Sequence, residues 1–264
     1  MKQLFAVVGS DVSRSLSPHL HDTAARACGL DMAYVPVNAS VDAFEEVITA
    51  LRRVGARGCN VTIPHKASAI QVATSRTDVA DRIGVANTLT FDGETVEAHN
   101  TDGPGLLGVL RGLPDAAFER VQLLGAGGSA RAAAWALAER GARRVVVCAR
   151  DLHQATDVAT MCDGEVAPYG AVAGVTLVVS AVPPSAGPQD VVDLGGQPVV
   201  CDLAYGGLDR WTPLVDVALA RRCESSFDGR HMLVQQAALS LAYWTGEAVS
   251  PLLEAMRAAM PTPL

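Results

Sequence analysis

A basic face is the first thing this sequence lacks. Its 21 lysines and arginines are outnumbered by 28 aspartates and glutamates, the formal net charge is −7 and the pI is near 5.3. With no cluster of positive charge to neutralise phosphates, a nucleic-acid partner is not expected. A secretory leader is missing as well: MKQLFAVVGS carries one lysine and a brief apolar stretch that runs straight into Gly, Ser and Asp. Export is therefore not expected, and the location implied is cytoplasmic. Residues 166–189 carry no charge, but Pro, Gly, Ser and Thr interrupt them. That composition predicts a buried strand with flanking loops, and no membrane partner. The six cysteines, Cys28, Cys59, Cys148, Cys162, Cys201 and Cys223, are dispersed and form no CxxC pair. They read as reduced, buried thiols. His65, His99 and His231 lack ligand spacing with Cys, Asp or Glu, so no metal is expected. Internal repeats and low-complexity linkers are likewise missing, and 49% hydrophobic against 19% charged residues excludes a disordered chain.

What is present is an alternation of strands and helices. In the first hundred residues the pattern predicts strand LFAVVG, a helix after Ser17-Pro18, strand AYVPV, a helix from Val41 to about Val54, strand GCNVTIP, a helix after Lys66, and a hairpin of NTLTF and TVEAHN. A second series follows: VQLLGAGG, a helix through Glu139, RVVVCAR, a short helical stretch, TLVVSAV and PVVCDLAY. Strands alternating with helices predict mostly parallel sheets. The continuously apolar strands of the second series suit a doubly wound sheet, covered on both faces. Helices from about Met232 onward are expected to return to the first lobe, leaving a cleft between two α/β units.

Several residues in this frame can carry chemistry. Gly125, Ala126, Gly127, Gly128, Ser129 and Ala130 have the spacing GxGxxA, directly after an apolar strand and before an Ala-rich helix. Gly125 would supply the tight turn, Gly127 the close approach of backbone to a pyrophosphate, and Ala130 the close helix packing, with the helix N-terminus facing the phosphates. The next strand ends Cys148-Ala149-Arg150-Asp151, where a dinucleotide fold meets the adenosine ribose. Arg150 favours a 2′-phosphate and hence NADP, whereas Asp151 would accept the NAD ribose or cap the following helix. Ser15 and Ser17, two positions apart, would point the same way in extended backbone and grip a polyol or carboxylate, although Ser17 before Pro18 is also a good N-cap. In Asn60-Val61-Thr62-Ile63-Pro64-His65-Lys66 a period of two puts Asn60, Thr62 and Lys66 on one face. Lys66 is a candidate proton donor or acceptor, and Asp102 either its partner or an ordinary N-cap. Leu233, Gln236, Ala237, Ser240, Leu241 and Trp244 share a helical stripe, so Gln236 is a buried amide in need of partners.

SLSP at 15–18, NVTIPHK at 60–66, ANT at 86–88, NTDGPG at 100–105, GAGGSAR at 125–131, CDLAY at 201–205 and DGRHMLVQQA at 228–237 occur in one chain and in this order. Together they resemble the shikimate dehydrogenase family over nearly the whole length. The resemblance implies an α/β fold of two lobes: a substrate domain at 1–101 plus 237–264, and a Rossmann-like dinucleotide-binding domain at 102–236. It implies a reversible NADP-linked reduction of 3-dehydroshikimate to shikimate on the way to chorismate and the aromatic amino acids, by a monomer or homodimer. Carried over by position, Lys66 and Asp102 match the catalytic pair. Ser15 and Ser17 match the serines that take the substrate carboxylate, and Thr62, Asn87, Tyr205 and Gln236 its other polar contacts. Gly125 to Ser129 match the phosphate loop, Arg150 the ribose-phosphate contact, and Leu203 and Gly229 the surroundings of the nicotinamide. Ala149-Arg150-Asp151 stands where the family usually has NRT, His231 where it has a second glycine, and Ser180-Ala181-Val182-Pro183 where it has NATSxG. These departures leave room for NAD as cofactor, for a paralogue acting on quinate or an aminoshikimate-type substrate, or for a dinucleotide sensor with little turnover.

Overall fold

Phe5, Ala6, Val7 and Val8 are buried in succession, so neither face of the first strand meets water. Such a strand belongs inside a parallel sheet. In the computed structural model, which describes residues 2–223 and 225–260, it is β1 (Gln3–Gly9), flanked on both sides by parallel partners. The chain continues through α1 (Ser17–Cys28), β2 (Met32–Asn38), α2 (Phe44–Arg53), β3 (Gly58–Val61), α3 (Lys66–Gln71), β4 (Ser75–Arg76), α4 (Asp78–Ile83), β5 (Thr88–Asp92) and β6 (Thr95–His99). The six strands form one sheet in the order β2-β1-β3-β5-β6-β4. The expected hairpin is β5–β6, which is antiparallel and also pairs antiparallel to β3.

Three local expectations are corrected. The second helix starts at Phe44, because residues 41–43 form a turn. The strand expected over 58–64 ends at Val61; a turn with a cis Ile63–Pro64 bond follows. Lys66 therefore opens α3 and does not extend the face of β3. Ser17 is not an N-cap either: α1 begins at Ser17 itself, Leu16 occupies the cap without a side-chain hydrogen bond, and Pro18 lies in the first turn.

The second unit contains α5 (Asp102–Leu110), β7 (Val121–Leu124), α6 (Gly128–Arg140), β8 (Val145–Ala149), α7 (Leu152–Thr160), β9 (Glu165–Pro168), β10 (Leu177–Ser180), β11 (Val199–Asp202) and α8 (Pro213–Ala220). All five of its strands are parallel, in the order β11-β10-β7-β8-β9. The chain winds outward from β7 to β9, then starts again at β10 on the other side of β7. The carboxyl ends of β7 and β10 thus form a topological switch point, the place where open α/β sheets bind ligands. Ala130, Ala132, Ala133, Ala134 and Ala136 have no exposed surface. Small side chains along α6 let α5 pack directly against it.

Two further helices, α9 (Arg230–Thr245) and α10 (Val249–Ala258), complete the described chain. The chain divides into two compact units, with breaks between Thr101 and Asp102 and, inside α9, between Met232 and Leu233. In the first unit Trp244 of α9 stacks on Phe5 at 4.7 Å and donates from Nε1 to Leu89 O at 3.1 Å. Gly58 makes that docking feasible, since a Cβ there would run into both Leu89 O and Trp244 Nε1. No described helix is long and apolar enough to cross a membrane.

Candidate active site

In the first unit, most of the polar side chains singled out by sequence lie at the carboxyl end of the parallel strands. Residues following β1 are folded over that end: Ser10 N donates to Ile63 O at 3.2 Å, and Val12 N to Asn38 Oδ1, at the end of β2, at 3.0 Å. Gly9 is glycine because a Cβ would meet Thr62 Cγ2 at 2.5 Å and Val12 Cγ1 at 2.9 Å. Ser15 and Ser17 hang from this segment in a turn and not in the extended backbone expected; Ser15 Oγ accepts from Ser17 N at 3.3 Å. Ser17 is buried and Ser15 half-buried. Thr62 follows β3, with its N–H on Val8 O at 2.9 Å. Lys66 is half-buried at the start of α3, and its carbonyl accepts from Ala86 N at 3.0 Å, next to Asn87. Asn87 precedes β5, which runs antiparallel to β3, so it reaches the same end of the sheet.

Beneath these residues lies a buried polar network. Asn87 Nδ2 donates to Thr101 Oγ1 at 2.9 Å and to Gln236 Oε1 at 3.2 Å, while Asn87 Oδ1 accepts from Thr101 N at 2.7 Å. Thr88, Thr101, Ser240 and Asn60 continue it, and Tyr34 donates to Asn60 Oδ1 at 2.7 Å. The expected stripe on α9 thus delivers Gln236 to polar partners, as a buried amide requires. Next to the network, His21 stacks on Tyr34 at 4.1 Å with neither ring nitrogen hydrogen-bonded. Burial drives its pKa down to about 3, so the ring is neutral. Asp102 opens the second unit at the residue after Thr101, and is itself buried.

The second unit holds the remaining candidates: Tyr205, the Gly125–Ser129 loop, Arg150, Leu203 and Gly229. Gly125 leaves β7 at φ 107°, a left-handed conformation that favours glycine. A Cβ there would press on Val182 Cγ1 and Ala181 O, in the segment after β10. At Gly127 a Cβ would meet nothing, so the backbone at the start of α6 faces open space, as a phosphate cradle needs. Arg150 is exposed just past β8. Of the two readings of Asp151, the structure supports the cap: its Oδ1 accepts from His153 N and Gln154 N at 3.0 and 3.1 Å, and its Oδ2 from Gln154 Nε2 at 2.9 Å. Those bonds hold its carboxyl below the usual carboxylate range. Leu203 and Gly229 are directly opposed, because Gly229 N donates to Ala204 O at 2.8 Å and a Cβ on Gly229 would strike Leu203 O.

Sequence reasoning missed what supports these groups. Asp202, the last residue of β11, is buried and turns its Oδ1 to Ala204 N at 3.2 Å. Arg230 and Asp228 form a buried ion pair at 2.9 Å; Arg230 also donates to Leu208 O at 2.9 Å and covers the Trp211 ring at 4.4 Å. It thereby secures the glycine-containing segment that follows Tyr205. Ser240, which the helical stripe already placed beside Gln236, had one sequence signal, its i,i+4 spacing from that residue.

Two family profiles match the chain: the shikimate dehydrogenase substrate binding domain over residues 7–89 and the shikimate 5′-dehydrogenase C-terminal domain over residues 229–260. The NADP(+) shikimate dehydrogenase of Caulobacter vibrioides strain NA1000 / CB15N is 35% identical over 94% of this chain and 91% of its own. The chain belongs to the shikimate dehydrogenase family. A shikimate 5-dehydrogenase of Thermus thermophilus, solved with NADP(H) and shikimate, is 31% identical with a TM-score of 0.81, over 98% of this chain and 100% of that one. The same TM-score of 0.81 is reached at 24% identity by the 5-ketofructose reductase of a Gluconobacter species, over 98% of this chain and 99% of that one. That second likeness concerns the fold alone. A shared α/β frame does not by itself fix a substrate, so substrate choice has to be argued from side chains.

Proposed function

We propose that the chain catalyses the reversible, NADP-linked reduction of 3-dehydroshikimate to shikimate, as a cytoplasmic enzyme working as a monomer or homodimer. The observation that carries this reading is the gathering of Ser15, Ser17, Thr62, Lys66, Asn87 and Gln236 at one end of a single sheet, in a member of the shikimate dehydrogenase family. The first unit takes the substrate and the second the dinucleotide. Ser15 and Ser17 receive the substrate carboxylate, and Thr62, Asn87, Tyr205 and Gln236 hold its other polar groups. Lys66 moves a proton to or from the oxygen on the reacting carbon, and Asp102 keeps ammonium and hydroxyl in line. Groups already fixed by backbone bonds spare the reaction the entropy of assembling them.

The second unit fits a dinucleotide at its open glycine loop. Gly125, Ala126, Gly127, Gly128 and Ser129 would hold the pyrophosphate, Arg150 the 2′-phosphate, and Leu203 and Gly229 the nicotinamide. When bound, that ring supplies or accepts the hydride. The commitment of Asp151 to its own helix supports NADP over NAD, since its acceptor oxygens are already engaged.

The test is turnover. Purified protein with shikimate and NADP+ should generate the absorbance of reduced nicotinamide, and a panel adding quinate, amino-substituted analogues and NAD ranks the alternatives. Ser180 and His231, which depart from the family's usual residues, leave room for a second reading, a paralogue selective for one of those substrates. Preference for quinate or an amine would establish it, and no turnover on any cyclohexane polyol with either dinucleotide would overturn both.

A further inference from the structure

Lys66 opens α3, a helix of 6 residues, too short to hold itself in place by its own hydrogen bonds. The turn before it is closed by backbone: His65 N donates to Thr62 O at 2.9 Å, and Ile63 O accepts from Ser10 N at 3.2 Å. A side chain joins that turn to β2 and α2. His65 is 1% exposed, and its Nε2 lies 2.9 Å from Ala39 O, just beyond the end of β2. A carbonyl can only accept, so Nε2 carries the hydrogen and donates it. The same ring stacks on Phe44, the first residue of α2, with centroids 4.6 Å apart and planes 13° from parallel.

Ala39 is fixed in its turn, because its N–H donates to Gly9 O at 2.8 Å, at the end of β1. The segments leaving β1, β2 and β3 are therefore tied in series, Gly9 to Ala39 and Ala39 to His65, and Lys66 is the next residue along the chain. Backbone cannot supply the middle link: Pro64 has no N–H, and the N–H of His65 is engaged by Thr62 O. Ser15, Ser17, Asn87 and Gln236 belong to other segments, and Thr62 is held separately by its N–H on Val8 O at 2.9 Å.

We infer that His65 is a positioning residue for proton transfer: the bond from its Nε2 to Ala39 O, with the ring steadied on Phe44, fixes where Lys66 leaves the turn and so where its ammonium group sits. This rests on the reading of Lys66 as the group that moves the proton. The imidazole exchanges no proton in the reaction and acts through the backbone that it holds. Misplacing a reacting group by about 1 Å can cost about 10²-fold in rate. A substrate gripped by the other segments feels that loss in kcat and not in KM.

Two variants separate the bond from the packing. His65→Phe keeps a ring on Phe44 and loses the bond, whereas the amide of His65→Gln reaches about as far as Nε2 and keeps it. With shikimate and NADP+, His65→Phe should lower kcat about ten-fold and leave KM for shikimate within about two-fold. His65→Gln should return kcat to within about three-fold of wild type. In a Lys66→Ala background, adding His65→Phe should cost kcat nothing further, because the group it positions is gone. If the phenylalanine variant does not fold in a thermal melt, His65→Asn, polar but too short to reach Ala39 O, takes its place. An unchanged kcat in His65→Phe overturns the role. So does a loss shared equally by His65→Gln, or one repeated in full without Lys66, since loosened packing gives both. Wild-type protein inactive on shikimate overturns the functional reading and this role with it, and an active wild type with an indifferent His65→Phe overturns this role alone.

Discussion

Replacing Asp202 by asparagine is expected to stabilise the protein, and to do so only away from acid pH. The side chain has no exposed surface, one oxygen accepts from Ala204 N at 3.2 Å, and Oδ2 has no hydrogen bond. Burial lifts the carboxyl from 3.8 to about 6, with the Ala204 N–H pulling it partly back and Asp228 adding to the rise. A displacement of that size corresponds to about 3 kcal/mol. Its sign follows from the acid being weaker in the folded chain. Through the window between those two values the folded protein holds a proton that the unfolded chain has released, so stability declines as pH rises and is level above it.

An asparagine keeps an acceptor for Ala204 N–H and carries no charge to bury. The variant should match wild type at about pH 4 and exceed it by up to about 3 kcal/mol at about pH 8. For a protein of this size that is a rise in Tm of roughly 6–12 °C at the higher pH. Denaturant titrations followed by intrinsic fluorescence at both pH values measure the difference directly. A gain that is the same at both, or a variant less stable than wild type at the higher pH, would refute the reasoning.

Other substitutions probe other parts of the molecule. Lys66→Ala should reduce kcat by about 10²–10⁴-fold, with an unchanged melt, if its proton is the one transferred; a kcat within a few-fold of wild type would remove it from that role. Arg150→Ala should raise KM for NADP about ten-fold or more and leave KM for NAD nearly unchanged. Equal effects on both cofactors would separate Arg150 from the 2′-phosphate. Gly58→Ala should destabilise the first unit by about 2–4 kcal/mol, since the added methyl displaces Trp244 and its bond to Leu89 O; melts of purified protein report it. His21→Phe keeps the stack on Tyr34 and removes a ring that resists protonation down to about pH 3. Below the ordinary histidine value wild type should lose stability toward acid as the unfolded chain takes up that proton, and the variant should follow a shallower slope.

The legible and illegible parts of the sequence divide along a physical line. Runs such as Phe5–Val8, Val145–Ala149 and Leu177–Ser180 announce buried strands because every residue must avoid water, and glycine after such a run announces a turn before a helix. What the sequence conceals is where the chain stops obeying its local pattern. Alternation in Asn60-Val61-Thr62 continues on paper to Lys66, but the ladder ends at Val61, and the turn hands Lys66 to a helix. Ser17 has the composition of a cap, yet the turn from Val12 to Ser15 closes one residue early and α1 takes Ser17 as its first residue. Asp151 left two readings that composition could not separate, and only its hydrogen bonds to the helix that follows decided between them.

The two units also solve different problems with their buried polar groups. In the first, Asn60, Asn87, Thr88, Thr101, Gln236 and Ser240 are buried together, and each finds partners among the others. A cluster whose donors are all satisfied holds side chains in single orientations, and recognising a polyol demands such fixed donors and acceptors. In the second, Asp202 Oδ2 and Ser180 Oγ lie on adjacent strands, both buried without a hydrogen bond. Left that way, a carboxylate lowers stability, and groups that do so are commonly kept where a site needs them. Asp202 directs Ala204 N–H, and Ala204 O holds Gly229 N against Leu203. If Asp202→Asn gains stability and keeps its cofactor affinity, then the acceptor at Ala204 is what matters. If affinity falls while stability rises, the charge itself serves the dinucleotide.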